Sequence, residues 1–180
     1  MTNLPTGHTV VIGAAGRHGS TAEIAARIET ALRQRLSSHW CVKRADLLDL
    51  REFEDADAVV LGSAVYFGRW LRPATKALRA LKDAPSLDLW LFSTGPISDG
   101  MGENIDVINA DEMVASGYAT DHMVFAGRLD TKHLSWWERL AVRAVGASSG
   151  DRRDWSAVDD WAASIANRLT DAAAVSEVRS

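Results

Sequence analysis

Residues 10–21 decide the fold of this chain, with the sequence Val10-Val11-Ile12-Gly13-Ala14-Ala15-Gly16-Arg17-His18-Gly19-Ser20-Thr21. A run of β-branched residues meets a glycine-rich turn, and apolar residues then recur four apart at Ile24, Ile28, Leu32 and Leu36. This pattern is typical of a buried strand, a tight loop and an amphipathic helix. We therefore expect the rest of the chain to build a site over that loop.

The composition favours one globular domain. The chain has 180 residues, of which 47% are apolar, and this is enough to bury a sizeable core. We predict a single domain over residues 1–180, with frayed ends at 1–7 and 171–180. The net charge is −4, and Lys and Arg are not clustered. Both facts argue against nucleic-acid binding, which needs clustered cations to displace counterions from phosphates.

The sequence also excludes some sites and locations. Cys41 is the lone cysteine, so no intrachain disulfide can form. No residues have the spacing of metal ligands. The N-terminus lacks the basic and apolar regions of a signal peptide, and no apolar run is long enough to cross a bilayer. We expect a cytoplasmic protein without a metal site or an integral membrane segment.

Strands and helices alternate after the opening loop. Strands are predicted at 39–45, 57–65, 87–94 and 122–126, and helices from about 70, around 110–116, at 134–145 and at 155–169. Because parallel neighbours need helical crossovers, five strands in this alternation predict a doubly wound α/β fold. Continuous apolar character at 57–65 indicates a strand that is covered on both faces.

Ligands of such a sheet bind beyond the carboxyl ends of the strands, where the strand order reverses. The loop after the first strand, here called the glycine loop, offers free amides at the positive end of a helix dipole, which suits a phosphate. Two hydroxyl groups and a cationic side chain could add hydrogen bonds. Its candidate residues are Gly16, Arg17, His18, Gly19, Ser20 and Thr21.

Two other interpretations of the glycine loop stay open. Ser20 and Glu23 have the spacing of a capping box, which would need no ligand. A dinucleotide site is the chemical rival, with Asp46 as ribose acceptor, although the spacing here is Gly-x-x-Gly-x-x-Gly rather than Gly-x-Gly-x-x-Gly. A P-loop is excluded because no Gly-Lys-Ser/Thr occurs.

Two further loops help to define the ligand. The aromatic loop consists of Val65, Tyr66, Phe67 and Gly68, and its rings suit stacking on a flat heterocycle, or else simple rim packing. The polar loop contains Thr94, Gly95, Pro96, Ser98 and Asp99, and its amides and hydroxyls could meet the polar edge of a ring, although alone it is only a turn. Together the three loops match a flavin mononucleotide, FMN.

Several stretches resemble the flavodoxin-domain family, including its menaquinone-dependent protoporphyrinogen IX dehydrogenases. They are GRHGSTAEIA (16–25), DAVVLGSAVYFGRW (57–70), LFSTGP (91–96), FAGRL (125–129) and GDRRDW (150–155). The resemblance implies a flavodoxin-like three-layer sandwich with a five-stranded parallel sheet in the order 2-1-3-4-5. It also implies bound FMN and one- or two-electron chemistry at the flavin.

The glycine loop departs from the family's pattern. Relatives place Ser or Thr at the first phosphate-binding position and often again two residues later, where this chain has Gly16 and His18, whereas Thr21 matches. Losing one hydrogen bond to a charged phosphate costs about 1.5–3 kcal/mol. We expect a charge-assisted bond from Arg17 or His18 to offset much of this loss.

The resemblance implies an FMN-dependent oxidoreductase, linked to a quinone or a porphyrinogen, with no catalytic residue on the protein. Basic residues on or beside the loops, Arg17, His18, Arg69 and Arg72, favour a small or acidic substrate. The alternatives are an electron carrier between redox partner proteins and a flavin-free binding protein. In the relatives a basic amphipathic helix matches 134–145, and here we expect that helix to pack on the domain or form a homodimer contact rather than to dock on a membrane.

Overall fold

A parallel sheet forms the centre of the molecule. The computed structural model describes residues 7–66, 68–82, 87–95, 110–126, 128–129, 150–151 and 153–178. Within these residues the parallel strands are β1 (His8–Ala15), β2 (Trp40–Ala45), β3 (Ala58–Tyr66), β5 (Asp88–Gly95) and β6 (Asp121–Ala126). Their order is β2-β1-β3-β5-β6. This confirms the predicted order, since the five parallel strands counted alone read 2-1-3-4-5.

Short strands were not expected from the sequence. β4 (Arg69–Trp70) turns back antiparallel to the end of β3, and Gly68 lies in the turn with φ 71°, a left-handed conformation that favours glycine. The helix predicted from about residue 70 therefore begins two residues later. β7 (Arg128–Leu129) and β8 (Gly150–Asp151) pair antiparallel in a separate small sheet.

Helices lie on both faces of the parallel sheet. They are α1 (Ser20–Arg35), α2 (Arg72–Leu81), α3 (Ala110–Ala115) and α4 (Trp155–Val178), and a 3₁₀ helix spans Leu50–Phe53. Pro73 is in the first turn of α2, and Gly117 follows α3 with φ 74°. The predicted helix at 134–145 lies outside the described residues.

Strand residues alternate between two cores, as expected for a sheet covered on both sides. Val10, Val60 and Phe92 belong to the core that α1 and α4 cover. Val11 and Leu61 belong to the core that α2 covers. These contacts confirm the three-layer arrangement and place α1 and α2 on opposite faces of the sheet.

α4 is longer than the sequence pattern predicts. We expected it to end near Leu169, with fraying from residue 171, but it continues to Val178. Ala172, Ala173 and Ala174 are strong helix formers, which explains the extension. At its start, Asp154 accepts hydrogen bonds from the Ser156 hydroxyl and the Ala157 amide. These bonds hold the pKa of the Asp154 carboxyl below its usual range.

α1 and α4 are also joined by an ion pair. The Arg27 guanidinium donates to both carboxylate oxygens of Asp159, from Nε at 2.7 Å and from Nη2 at 2.6 Å. These hydrogen bonds lower the pKa of Asp159. Within the described part of the chain, no helix has the length and apolar character needed to cross a membrane.

Candidate functional site

The three predicted loops follow neighbouring strands. β3 lies between β1 and β5, and Ala15 is in register with Ser63 while Ala64 is in register with Thr94. Because the strands are parallel, the ends of β1, β3 and β5 lie at one edge of the sheet. The fold therefore brings the glycine loop and the described residues of the aromatic and polar loops to the same end of the molecule.

The glycine loop ends in a left-handed turn. Gly19 is the N-cap of α1 with φ 83°, and its carbonyl accepts the Glu23 amide at 2.9 Å. Ser20 is the first helical residue, so Ser20 and Glu23 do not form the capping box that the sequence allowed. Helix geometry leaves the amides of the first turn without carbonyl partners inside the helix, and they lie at the positive end of the helix dipole.

Thr21 is joined to the polar loop. Its hydroxyl oxygen lies 2.7 Å from that of Thr94, and the two residues are only 2% and 3% exposed. Ser20 is buried beside Thr21. The two hydroxyl groups that we predicted as phosphate donors therefore lie largely below the surface of the loop, whereas Gly16, Arg17, His18 and Gly19 are exposed.

The side chain of Thr21 leaves no room for a β-carbon at residue 16, which is glycine. A β-carbon at residue 16 would lie 2.7 Å from the Thr21 hydroxyl oxygen and 2.8 Å from its β-carbon, closer than non-bonded atoms pack. Any side chain at residue 16 would therefore overlap Thr21 in this arrangement. The sequence showed that the position was irregular but could not show which side chain occupies the space.

Arg17 and His18 connect the glycine loop to the aromatic loop. The Arg17 guanidinium carbon lies 5.0 Å from the centre of the Tyr66 ring, and the His18 ring meets the same ring edge-on at 6.5 Å. Such a cation–π contact is worth about 0.5–1 kcal/mol at an exposed site. The two predicted loops thus contact each other through side chains.

The remaining predicted site residues are either at the strand ends and the turn or outside the described residues. Val65 and Gly95 are half-buried at the strand ends, and Gly68 is exposed in the turn. Phe67, Pro96, Ser98 and Asp99 lie outside the described residues.

Sequence reasoning missed a hydrogen-bonded group beneath the aromatic loop. The Trp70 ring nitrogen donates to the Ser93 hydroxyl oxygen at 2.9 Å, and this oxygen lies 2.9 Å from His122 Nε2. The Leu71 amide donates to the Ser63 hydroxyl oxygen at 3.0 Å. The available signal was the presence of Ser63 and Ser93 in otherwise apolar strands, because buried hydroxyl groups require partners.

A second missed contact lies beside the first turn of α1. The Arg153 guanidinium pairs with the Glu23 carboxylate and lies 4.5 Å from the centre of the Trp155 ring. The Arg153 side chain is buried. This ion pair attaches the segment before α4 to the helix that follows the glycine loop.

Basic residues lie on the glycine loop and beside the aromatic loop. Arg17, His18, Arg69 and Arg72 are all exposed, and Arg69 is the register partner of Tyr66. A cavity of about 530 Å³ lies elsewhere, between the second half of α2 and α3, and includes Arg79 and Glu112. None of its lining residues belongs to the three loops.

Solved structures with the same fold include a flavodoxin, an oxygen oxidoreductase and an azoreductase. Rubredoxin oxygen:oxidoreductase from Desulfovibrio gigas is 18% identical with a TM-score of 0.61, over 92% of this chain and 37% of that chain. Oxidised flavodoxin 2 from Bacillus cereus is 16% identical with a TM-score of 0.59, over 89% and 99%. An FMN-dependent NADH-azoreductase from Bacillus anthracis, in complex with FMN, is 9% identical with a TM-score of 0.53, over 88% and 99%.

These likenesses show a shared fold, and this chain spans little more than a third of the oxygen oxidoreductase. No curated protein sequence matches the chain. The family model described as the flavodoxin domain matches residues 11–156, which include all three loops and the five parallel strands apart from residues 8–10 of β1. This chain therefore belongs to the flavodoxin domain family.

Proposed function

We propose that this chain binds FMN and acts as an oxidoreductase in which the flavin is the reactive centre. The observation that carries the proposal is the convergence of the glycine loop, Tyr66 and Thr94 at one edge of the sheet. When bound, FMN supplies one- and two-electron redox chemistry, while the protein positions it and adjusts its potential.

The phosphate of FMN fits the glycine loop. Exposed Gly16 and Gly19 let the anion approach the backbone, and the first-turn amides of α1 point toward it. Ser20 and Thr21 are buried residues and the Thr21 hydroxyl is paired with that of Thr94, so Arg17 and His18 are the side chains we assign to the phosphate. Charge-assisted bonds of this kind are about twice as strong as neutral ones.

The ring system of FMN fits the aromatic loop. Tyr66 offers a half-buried aromatic face next to the exposed backbone of Gly68, and offset stacking on such a ring contributes about 0.5–1.5 kcal/mol. The Arg17 guanidinium covers one face of Tyr66. In the proposed complex, Arg17 turns from that ring to the phosphate.

The test is the visible spectrum of the purified protein before and after addition of FMN, with titration of flavin fluorescence. Bound flavin absorbance and saturable quenching are expected. If the protein shows neither bound flavin absorbance nor quenching of flavin fluorescence, FMN binding is refuted and the flavin-free alternative is favoured.

A second function concerns the substrate of the bound flavin. The exposed cations Arg69 and Arg72, which are not assigned to the phosphate, favour an anionic molecule at the site. Porphyrinogen propionates have this charge, in line with the resemblance to quinone-linked protoporphyrinogen dehydrogenases. Turnover of a porphyrinogen or a quinone by the FMN-loaded protein would support this function, and turnover should fall in Arg69→Gln and Arg72→Gln.

An electron carrier is the alternative redox function. It would bind FMN and exchange electrons with a partner protein, but would turn over neither porphyrinogen nor quinone. The comparison with flavodoxin 2 favours this alternative at the level of fold. Assay of the loaded protein with both small molecules, and with a reductase that supplies electrons, separates the two functions.

A further inference from the structure

Two buried side chains and the half-buried His122 form a hydrogen-bonded chain behind the aromatic loop. The indole N–H of Trp70 donates to Ser93 Oγ at 2.9 Å, and Ser93 Oγ and His122 Nε2 lie 2.9 Å apart. The three residues come from β4, β5 and β6. We call this group the indole anchor.

The chemistry of the indole anchor fixes one of its hydrogen bonds. An indole nitrogen only donates, so Ser93 must accept from Trp70. The Ser93 hydroxyl still has a hydrogen and a second lone pair, and either can serve His122. Ser93 is fully buried and Trp70 is only 5% exposed, so loss of the serine oxygen would leave the indole N–H in an apolar setting without its acceptor.

Trp70 also determines where the aromatic loop can lie. Val65 is in register with Trp70, and Tyr66 with Arg69, so the loop is the turn of a two-stranded hairpin. An isolated short hairpin is at best marginally stable in water. Its outer strand, β4, has only two residues, and its attachment to the sheet therefore depends on side-chain contacts.

Two register-matched serines hold the outer side of this hairpin. Ser63 and Ser93 are partners on β3 and β5. Ser63 accepts the Leu71 amide, while Ser93 accepts the Trp70 indole. The chain leaving the aromatic loop is thus tied to the sheet at two successive residues.

We propose that the indole anchor positions the aromatic loop for FMN, and that His122 is a positioning residue for this loop although it lies two strands away from it. This inference rests on the proposed FMN function. It adds residues that none of the three predicted loops contains.

The experiment compares variants of the anchor in the full-length protein. Trp70→Phe removes the indole N–H and Ser93→Ala removes its acceptor. His122→Leu removes the distal hydrogen-bonding group, whereas His122→Gln retains one near the position of Nε2. The first measurement is the FMN dissociation constant, and the second is hydrogen exchange of the peptide covering 64–71 in flavin-free protein.

Trp161→Phe is a matched control. Trp161 is equally buried, at 3% exposed, and its indole N–H donates to Asp121 Oδ2 at 2.7 Å. Asp121 is next to His122 in β6, but Trp161 belongs to the opposite core. The control therefore loses a comparable hydrogen bond without touching the aromatic loop.

We expect Trp70→Phe, Ser93→Ala and His122→Leu to raise the FMN dissociation constant about three- to tenfold, which corresponds to one net hydrogen bond. They should also accelerate exchange at 64–71. His122→Gln should restore most of the affinity, and Trp161→Phe should change neither measurement by more than about twofold.

Equal effects of Trp70→Phe and Trp161→Phe on FMN affinity would overturn the inference, as would faster exchange at the loop with unchanged affinity. If the wild-type protein binds no FMN, the proposed function fails by itself. Hydrogen exchange of the peptide 64–71 in the flavin-free protein then tests separately whether the indole anchor holds the aromatic loop. Unchanged exchange in Ser93→Ala refutes this role, and accelerated exchange supports it.

Discussion

The hydroxyl oxygens of Thr21 and Thr94 lie 2.7 Å apart in a buried contact, although 73 residues separate them in the chain. Thr21 is in the first turn of α1 and Thr94 is near the end of β5. The contact therefore ties the glycine loop to Thr94 of the polar loop inside the protein.

This pair should show strong energetic coupling. Thr21→Val or Thr94→Val keeps the shape of the side chain but leaves the other hydroxyl buried without its partner, at a cost of about 1–3 kcal/mol. Replacing both by valine removes both polar groups and should cost less than the sum of the single changes. Urea unfolding of the four proteins measures the coupling, and additive costs would contradict a direct hydrogen bond.

Gly16→Ser supplies the hydroxyl residue that the family's pattern led us to expect, yet it should not improve FMN binding here. The new β-carbon would overlap Thr21, and overpacking of this kind costs about 1–3 kcal/mol of unfolding free energy. Gly16→Ala should cost about as much, since the β-carbon rather than the hydroxyl makes the clash.

A double variant distinguishes steric from chemical causes at Gly16. Thr21→Gly removes both overlapping atoms and should lower the added cost of Gly16→Ser, whereas Thr21→Ala leaves the β-carbon at 2.8 Å and should lower it less. Unfolding free energies and FMN titrations of these variants provide the comparison. A large gain in FMN affinity from Gly16→Ser alone would show that the loop can move away from Thr21.

Arg17 should bind the phosphate more strongly than it binds Tyr66. A hydrogen bond to a charged group contributes about 1.5–3 kcal/mol, while an exposed cation–π contact contributes about 0.5–1 kcal/mol. Arg17→Gln should therefore weaken FMN binding by a net factor of roughly two to seventy. Fluorescence titration measures the change.

Riboflavin, which has the ring system without the phosphate, is the matched ligand for Arg17. Its binding should be unchanged or slightly tighter in Arg17→Gln, because the guanidinium no longer competes for the Tyr66 ring. Arg79→Gln, an exposed charge on α2, serves as the control. Equal weakening of FMN and riboflavin would argue against the phosphate role.

The Arg27–Asp159 pair should stabilise the fold only above acidic pH. The hydrogen bond from Arg27 holds the pKa of Asp159 below its usual range, so the folded state favours the ionised carboxylate. Its contribution is present above the unfolded pKa of about 3.9 and is lost as the pH falls through the lower folded pKa.

Asp159→Asn should therefore lower stability at pH 7 and have little effect at strongly acid pH. Urea midpoints at both pH values measure this, with Asp160→Asn, an exposed neighbour on α4, as control. The loss should be small because Arg27 is half exposed. A loss that is the same at every pH would contradict the titration of Asp159 as its cause.

Much of the fold could be predicted because its signals are local. Apolar runs such as Val59 to Leu61 indicate strands covered on both faces, and the four-residue spacing from Ile24 indicates α1. The structure confirms both. The hairpin strand β4 was missed because two residues are too short to carry a period, and the end of α4 was missed because its alanines have no apolar periodicity.

The residues that join the loops could not be predicted, because hydrogen bonds across the sheet depend on register. Trp70 and Ser93 are 23 residues apart, and Ser93 and His122 are 29 apart. A short stretch of sequence therefore cannot contain all three residues. The departure at Gly16 from the expected pattern was visible in the sequence, but the overlap of a side chain there with Thr21 follows only from the three-dimensional packing.

Ser93 and Thr94 are consecutive in β5, and successive strand residues face opposite sides of the sheet. Ser93 reaches Trp70 on one side, and Thr94 reaches Thr21 on the other. An insertion or deletion of one residue within β5 would exchange the two faces and detach both loops at once. Changes of chain length are therefore far less tolerable in this strand than in the connection before β2, which carries neither contact.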